Sequence, residues 1–146
     1  MSQFLKNAWY VAALSTEIGR APKAVRLLGE AVVLYRMQSG LPAALEDACP
    51  HRKLPLSMGR IKGDAIECGY HGLTFDCAGQ CIDAATQTRI PPFAKVRAYP
   101  VQDKYGLLWI WMGDPALADP DKITEYHWLD DPNWGARTAY LHVKAN

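Results

Sequence analysis

Two cysteine–histidine pairs stand close together in the chain, Cys49-Pro-His51 and Cys68-Gly-Tyr-His71, with residues 52–67 between them. Thiolates and imidazoles are the side chains that soft and borderline transition metals select. A Pro or Gly beside each pair places the four side chains on two loops that can face one another. A structural zinc ion would take two thiolates and two imidazoles in a tetrahedron. Zinc sites with that ligand set usually keep the cysteines in one pair and the histidines in the other, whereas both pairs here are mixed. Buried cysteines beside incidental histidines form a second alternative, which the matched surroundings "CPHR" and "GYHG" disfavour.

A third arrangement makes use of the mixing. In a Rieske [2Fe–2S] centre, two thiolates hold one iron and two imidazoles hold the other. Each loop then gives one ligand to each iron, and the pair of loops clamps the cluster. On this reading Cys49 and Cys68 bind the inner iron, and His51 and His71 bind the outer iron near solvent. Neutral imidazoles in place of anionic thiolates favour the reduced state, and such centres span about −150 to +300 mV.

The elements that must position these loops read as short strands. "VRLLGEAVVLYRM" is a hairpin about a turn at Gly29-Glu30, and "LPAALEDA" is a strand that delivers the chain to Cys49. "DAIECGYHGLTFDCAGQCI" is a second hairpin-like unit with a turn at Ala78-Gly79. "AKVRAYPVQDKYGLLWIWMGD" alternates around a polar turn at Asp103–Gly106, with Trp109 and Trp111 on one face as core residues and Leu108 and Ile110 on the other. Eight or nine short strands with Gly and Pro turns, and no long helix, predict an all-β antiparallel sandwich or barrel-like domain over 1–113. After Gly113 the composition turns rich in Asp and Pro, and Asp119-Pro120 has the form of an N-cap and first residue of one short helix. "TAYLHVKA" then begins another strand, so 114–146 is expected to be a linker and the first edge of a further domain.

The bulk composition, with 49% hydrophobic and 21% charged residues, suits a soluble globular protein. A formal net charge of +1 gives no reason to expect nucleic acid or an anionic membrane as partner. No apolar run approaches the ~18 residues of a spanning helix. Lys6 before Ala8–Leu14 has a faint likeness to a signal peptide, but Asn7, Trp9 and Tyr10 fit a first strand better. Two of the four cysteines stand in metal-type spacing, which favours a reducing compartment and an expected cytoplasmic location.

The chain resembles the N-terminal Rieske domain of ring-hydroxylating or O-demethylating non-haem iron oxygenases, and most of all the vanillate and dicamba O-demethylase branch. The resemblance rests on "KNAWYVAAL", "EDACPHRKLPLSMG", "ECGYHGLTFDCAGQC", "VRAYPVQDKYGLLWIWMGDPALADP" and "HVKAN", which together span nearly the whole chain. It implies a two-loop cluster-binding subdomain with Cys49, His51, Cys68 and His71 as ligands, and a reductase or ferredoxin as electron donor. It also implies electron delivery to a mononuclear Fe(II) in a catalytic domain, within a homotrimer, acting on a small aromatic such as a methoxybenzoate. The two-histidine, one-carboxylate site of that iron has no counterpart in this sequence, so the chain as written should carry an electron and not activate dioxygen. A stand-alone Rieske ferredoxin is the alternative, and the residues beyond Gly113 argue against it.

Respiratory Rieske proteins resemble C-x-H-x-x-C and C-x-C-H-x-S, whereas Pro55 and Leu56 follow the first pair here and Leu73 stands where the serine hydroxyl would be. Fewer donors to the sulfides imply a potential at the low end of the range. Cys77 and Cys81 lie outside the ligand motif and are expected to pack. Arg52, Lys53, Arg60 and Lys62 read as a solvated loop or, functionally, as a basic rim for an acidic donor. Pro91-Pro92-Phe93 is either a strand connector or a loop covering the cluster, and His127 and His142 are expected at the surface or in strands rather than as ligands.

Overall fold

The computed structural model describes residues 4–85, 88–141 and 143. Its strands are β1 (Ala8–Leu14), β2 (Lys23–Leu27), β3 (Glu30–Arg36), β4 (Pro42–Glu46) and β5 (Arg60–Lys62). They continue with β6 (Ala65–Glu67), β7 (Leu73–Phe75), β8 (Cys81–Ala84), β9 (Val101–Lys104) and β10 (Leu107–Met112). All pair antiparallel in three sheets, ordered β1-β10-β9, β2-β3-β4 and β5-β6-β7-β8. The all-β antiparallel architecture expected from the sequence is the one observed.

The middle sheet explains the layering. Val33 and Tyr35 of β3, with Ala43 and Leu45 of β4, face one core, together with Leu56, Ile66, Phe75 and both Cys49 and Cys68. Val32, Leu34 and Ala44 face the opposite core, with Leu108, Ile110 and Met112. Successive strand residues point to opposite faces, so β2-β3-β4 lies between the other two sheets. A strand buried on both faces shows no polar alternation, which is why Ala31–Tyr35 reads as one apolar run. Each large side chain buried there contributes roughly 1.5–3 kcal/mol.

The hairpin turns follow the backbone twist. Between β2 and β3, Leu28 (φ 49°) and Gly29 (φ 81°) are both left-handed, the pattern of a type I′ turn. The turn therefore sits one residue earlier than Gly29-Glu30, because Glu30 is already paired with Leu27. Tyr105 and Gly106 turn β9 into β10 inside the expected segment.

Residues 114–129 lie as a strap over the tryptophan face of β10. The Trp9 indole N–H donates to the Asp119 carbonyl at 2.8 Å and that of Trp111 to the Asp114 carbonyl at 2.7 Å. Trp9 meets Trp111 edge-on at 5.4 Å, and Tyr126 stacks on Trp109 at 6.3 Å. Trp109 and Trp111 are buried, as expected of core residues. The helix expected at Asp119-Pro120 is a single 3-10 turn, Pro120–Lys122, capped by the Asp119 carboxylate on the Asp121 N–H at 3.0 Å. The described residues of "TAYLHVKA", 138–141 and 143, join no sheet. The rest of that stretch, with His142, lies outside the described residues. Among the described residues, no helix is long and apolar enough to cross a membrane.

Candidate metal centre

Cys49 follows β4 and Cys68 follows β6, and the two loops they open close by the same backbone pattern. The Cys49 N–H donates to the Leu54 carbonyl at 2.8 Å, and the Lys53 N–H to the Cys49 carbonyl at 2.8 Å. The Cys68 N–H donates to the Leu73 carbonyl at 2.8 Å, and the Gly72 N–H to the Cys68 carbonyl at 3.1 Å. In both loops the residue before that leucine is left-handed, Lys53 at φ 57° and Gly72 at φ 71°. "CPHRKL" and "CGYHGL" are thus two copies of one loop that differ in where the histidine falls. Lys53 adopts its conformation at a cost of about 1–2 kcal/mol that glycine avoids. Gly72 is required twice over, since a Cβ there would lie 2.7 Å from the Ala85 Cβ.

Burial sorts the four side chains. Cys49 and Cys68 are each 2% exposed within the core, whereas His51 is exposed and His71 half-buried. The imidazole rings are 4.5 Å apart at 51°, and the Tyr70 ring covers His71 at 3.9 Å. Burial, and next the neighbouring Cys68 sulfur within hydrogen-bonding reach, push the Cys49 thiol up to about 11. The backbone N–H groups of His51 and Arg52 donate to the same sulfur and favour its thiolate. Partial cover of the ring, then the charges of His51 and Arg52, hold the His71 imidazole below its ordinary value. Two inner sulfurs and two outer imidazoles, one of each per loop, form a donor set that fits a two-iron cluster. Among the described residues, no three His, Cys, Asp or Glu side chains gather about a point to hold one ion; two protein ligands per iron need no such gathering.

The segment between the loops is braced by contacts that motif reading does not reveal. Asp47, 7% exposed, accepts hydrogen bonds from the Ser57 N–H and O–H, each at 2.7 Å. Glu67 is bridged by Arg60 at 2.6 Å and by Lys62 at 3.5 Å, and Lys62 also reaches Asp83 at 3.5 Å. Arg60 and Lys62 are therefore engaged with carboxylates, whereas Arg52 and Lys53 are exposed. The cross-strand pairing of Arg60 with Glu67 is the cause. Cys77 does not pack as expected, being exposed in the turn before β8, while Cys81 is half-buried against the core. The Pro91–Phe93 loop is a tight turn, closed by the Ala94 N–H on the Pro91 carbonyl at 3.0 Å, that leaves the Phe93 ring 59% exposed. His127 is exposed beside Glu125 at 3.2 Å.

Comparison with known proteins identifies the family. The family model of the Rieske [2Fe-2S] domain matches residues 8–100. The chain is 47% identical, over 98% of its length, to the toluene-4-sulfonate monooxygenase system iron-sulfur subunit of Comamonas testosteroni, and covers 42% of that protein. It is 43% identical, over 98% of its length, to the dicamba O-demethylase oxygenase component of Stenotrophomonas maltophilia, covering 42% of it. The vanillate O-demethylase oxygenase subunit of a Pseudomonas strain is 41% identical over 96% of the chain, which spans 39% of that subunit. The crystal structure of dicamba monooxygenase bound to dicamba superposes with a TM-score of 0.85 at 45% identity, covering 88% of this chain and 41% of that one. The chain thus spans about two fifths of the length of these relatives, and it belongs to the Rieske [2Fe–2S] domain family.

Proposed function

We propose that this chain is the electron-transfer domain of a multicomponent oxygenase, with Cys49, His51, Cys68 and His71 as the cluster ligands. The observation that carries the reading is the pair of matched loops, each with one buried sulfur and one outward imidazole. When bound, the cluster supplies a one-electron redox couple. Cys49 and Cys68 would hold one iron as thiolates. The N–H donors of His51 and Arg52 are already aimed at the Cys49 sulfur and favour that ionisation. His51, exposed, and His71, half-buried, would hold the other iron through ring nitrogens. Leu56 and Leu73, both buried, keep water from the sulfur side.

Arg52 and Lys53, exposed beside His51, are the residues that would meet an acidic reductase or ferredoxin. The likeness to oxygenase subunits more than twice as long supports a catalytic domain as electron acceptor, acting on a small aromatic. The crystal structure of dicamba monooxygenase with non-heme iron, 45% identical, supports a mononuclear iron there, and a homotrimer is the assembly that the family resemblance implies. Four free cysteines support a reducing, cytoplasmic setting. Stopped-flow reduction of the iron-loaded chain by a small acidic ferredoxin tests the donor edge. Arg52→Glu with Lys53→Glu should slow the bimolecular rate by about tenfold or more and flatten its salt dependence. Unchanged rates at low salt would remove that edge from the proposal.

A further inference from the structure

Asp47 is a buried carboxylate with no cationic partner among the described residues, since no ion pair involves it. Desolvating a carboxylate is costly unless its oxygens are well occupied. Among the described residues both are occupied by Ser57, one by its N–H and one by its O–H. Asp47 is itself anchored to the middle sheet, its N–H donating to the Ala31 carbonyl at 3.0 Å.

From Ser57 the contacts run on to the other loop. Ser57 lies in the 3-10 turn Leu56–Met58, whose Leu56 is fully buried. The next residue, Gly59, is pressed so closely on β6 that a Cβ would lie 2.0 Å from the Glu67 carbonyl oxygen. A Cβ on Gly69 would stand 3.2 Å from the Met58 carbonyl oxygen. One continuous path therefore joins the middle sheet, Asp47, Ser57, the Met58–Gly59 backbone and the residues flanking Cys68. It starts two residues before one cysteine and ends beside the other.

We infer that Asp47, acting through Ser57, is a positioning residue that sets the spacing of the two ligand loops before the cluster enters. The inference rests on the ligand assignment proposed above. A carboxylate suits this task because both of its oxygens accept, whereas an asparagine accepts through one atom and must donate through the other. Ser57 Oγ can take that donation, so asparagine preserves the tie while removing the charge.

The test compares wild type, Asp47→Ala, Asp47→Asn and Ser57→Ala in the full chain. Three quantities are measured: amide exchange at Ser57 and Cys49 without iron, cluster loss to a chelator, and the reduction potential. Asp47→Ala should free the Ser57 amide and speed cluster loss roughly 10–100-fold. Asp47→Asn should restore both and shift the potential upward, because a negative charge that opposed the added electron is gone. Ser57→Ala should fall between them. A merely structural role would lower the melting temperature of Asp47→Ala and leave cluster loss at the wild-type rate, which overturns the inference. Protection of the Ser57 amide persisting in Asp47→Ala overturns it as well. A wild-type chain that takes up no [2Fe–2S] cluster defeats the ligand assignment instead, and the iron-free exchange data still decide whether Asp47 holds the loop.

Discussion

Replacing Gly72 by alanine strikes the second ligand loop at a point where two costs can be separated. The residue is left-handed (φ 71°), which charges an L side chain about 1–2 kcal/mol. The new Cβ would also lie 2.7 Å from the Ala85 Cβ. Carbon atoms prefer separations of about 3.5–4.0 Å, and the obstructing methyl is fixed to the backbone, so the loop must shift by about 1 Å. Overpacking of this kind costs about 1–3 kcal/mol, for a total of about 2–5 kcal/mol. Gly63, in the β5–β6 turn, supplies the control: it is left-handed (φ 64°) with nothing within 4 Å of a new Cβ. Gly63→Ala should lose only the conformational term, about 1–2 kcal/mol. Urea unfolding of the iron-free chain should therefore separate the variants by about 1–3 kcal/mol, roughly 5–150-fold in the equilibrium constant. Because the Gly72 N–H bonds the Cys68 carbonyl, Gly72→Ala should also hold less cluster at equal protein. Equal unfolding midpoints for the two variants would refute the steric reasoning.

Other outcomes follow from the same contacts. Burial raises the Glu30 carboxyl, but hydrogen bonds from Lys6 and Tyr99 and the charges of Lys6 and Arg97 outweigh it and hold the group below its ordinary value of 4.5. A depressed folded value stabilises above the unfolded one and is lost as pH falls through it. Glu30→Gln should thus cost up to about 1 kcal/mol at neutral pH, with the gap to wild type closing below pH 4.5 in acid titration of the melting temperature. In the iron-free chain, iodoacetamide followed by peptide mapping should label exposed Cys77 first and leave Cys49 and Cys68 protected; early labelling of Cys49 would contradict its burial. Leu73 offers no hydroxyl beside the second pair, so redox titration should place the midpoint in the low part of the range of about −150 to +300 mV. A value well above 0 mV would count against that argument.

The chemistry was legible because it depends on residue types at short spacing. The mixed pairs Cys49/His51 and Cys68/His71 need no tertiary knowledge to suggest two irons. The β2–β3 hairpin was legible for a similar reason, and its turn moved by one residue only because twist selects two left-handed positions, which Leu28 and Gly29 fill. A further local signal lies in the loops themselves: each cysteine is followed at the same distance by a leucine, Leu54 and Leu73, whose carbonyl closes the loop. The brace from Asp47 to Ser57 was not legible, because an acid and a serine on one loop acquire meaning only once the chain turns back. The fate of Arg60 and Lys62 was hidden too, since it depends on the register that sets Arg60 opposite Glu67 in a very short hairpin. The strap over Trp109 and Trp111 carries a readable Asp-Pro cap, but its docking depends on the indole N–H bonds that fix it.

In the proposed centre, one thiolate and one imidazole from each loop hold two irons. The most direct test of that arrangement is the electron paramagnetic resonance of the reduced, iron-loaded chain, with the histidine ring nitrogens isotopically labelled. A [2Fe–2S] signal coupled to two imidazole nitrogens is expected, with His51→Ala and His71→Ala each abolishing that two-nitrogen pattern. A signal with no nitrogen coupling, or a metal-loaded chain that stays silent on reduction, would contradict it.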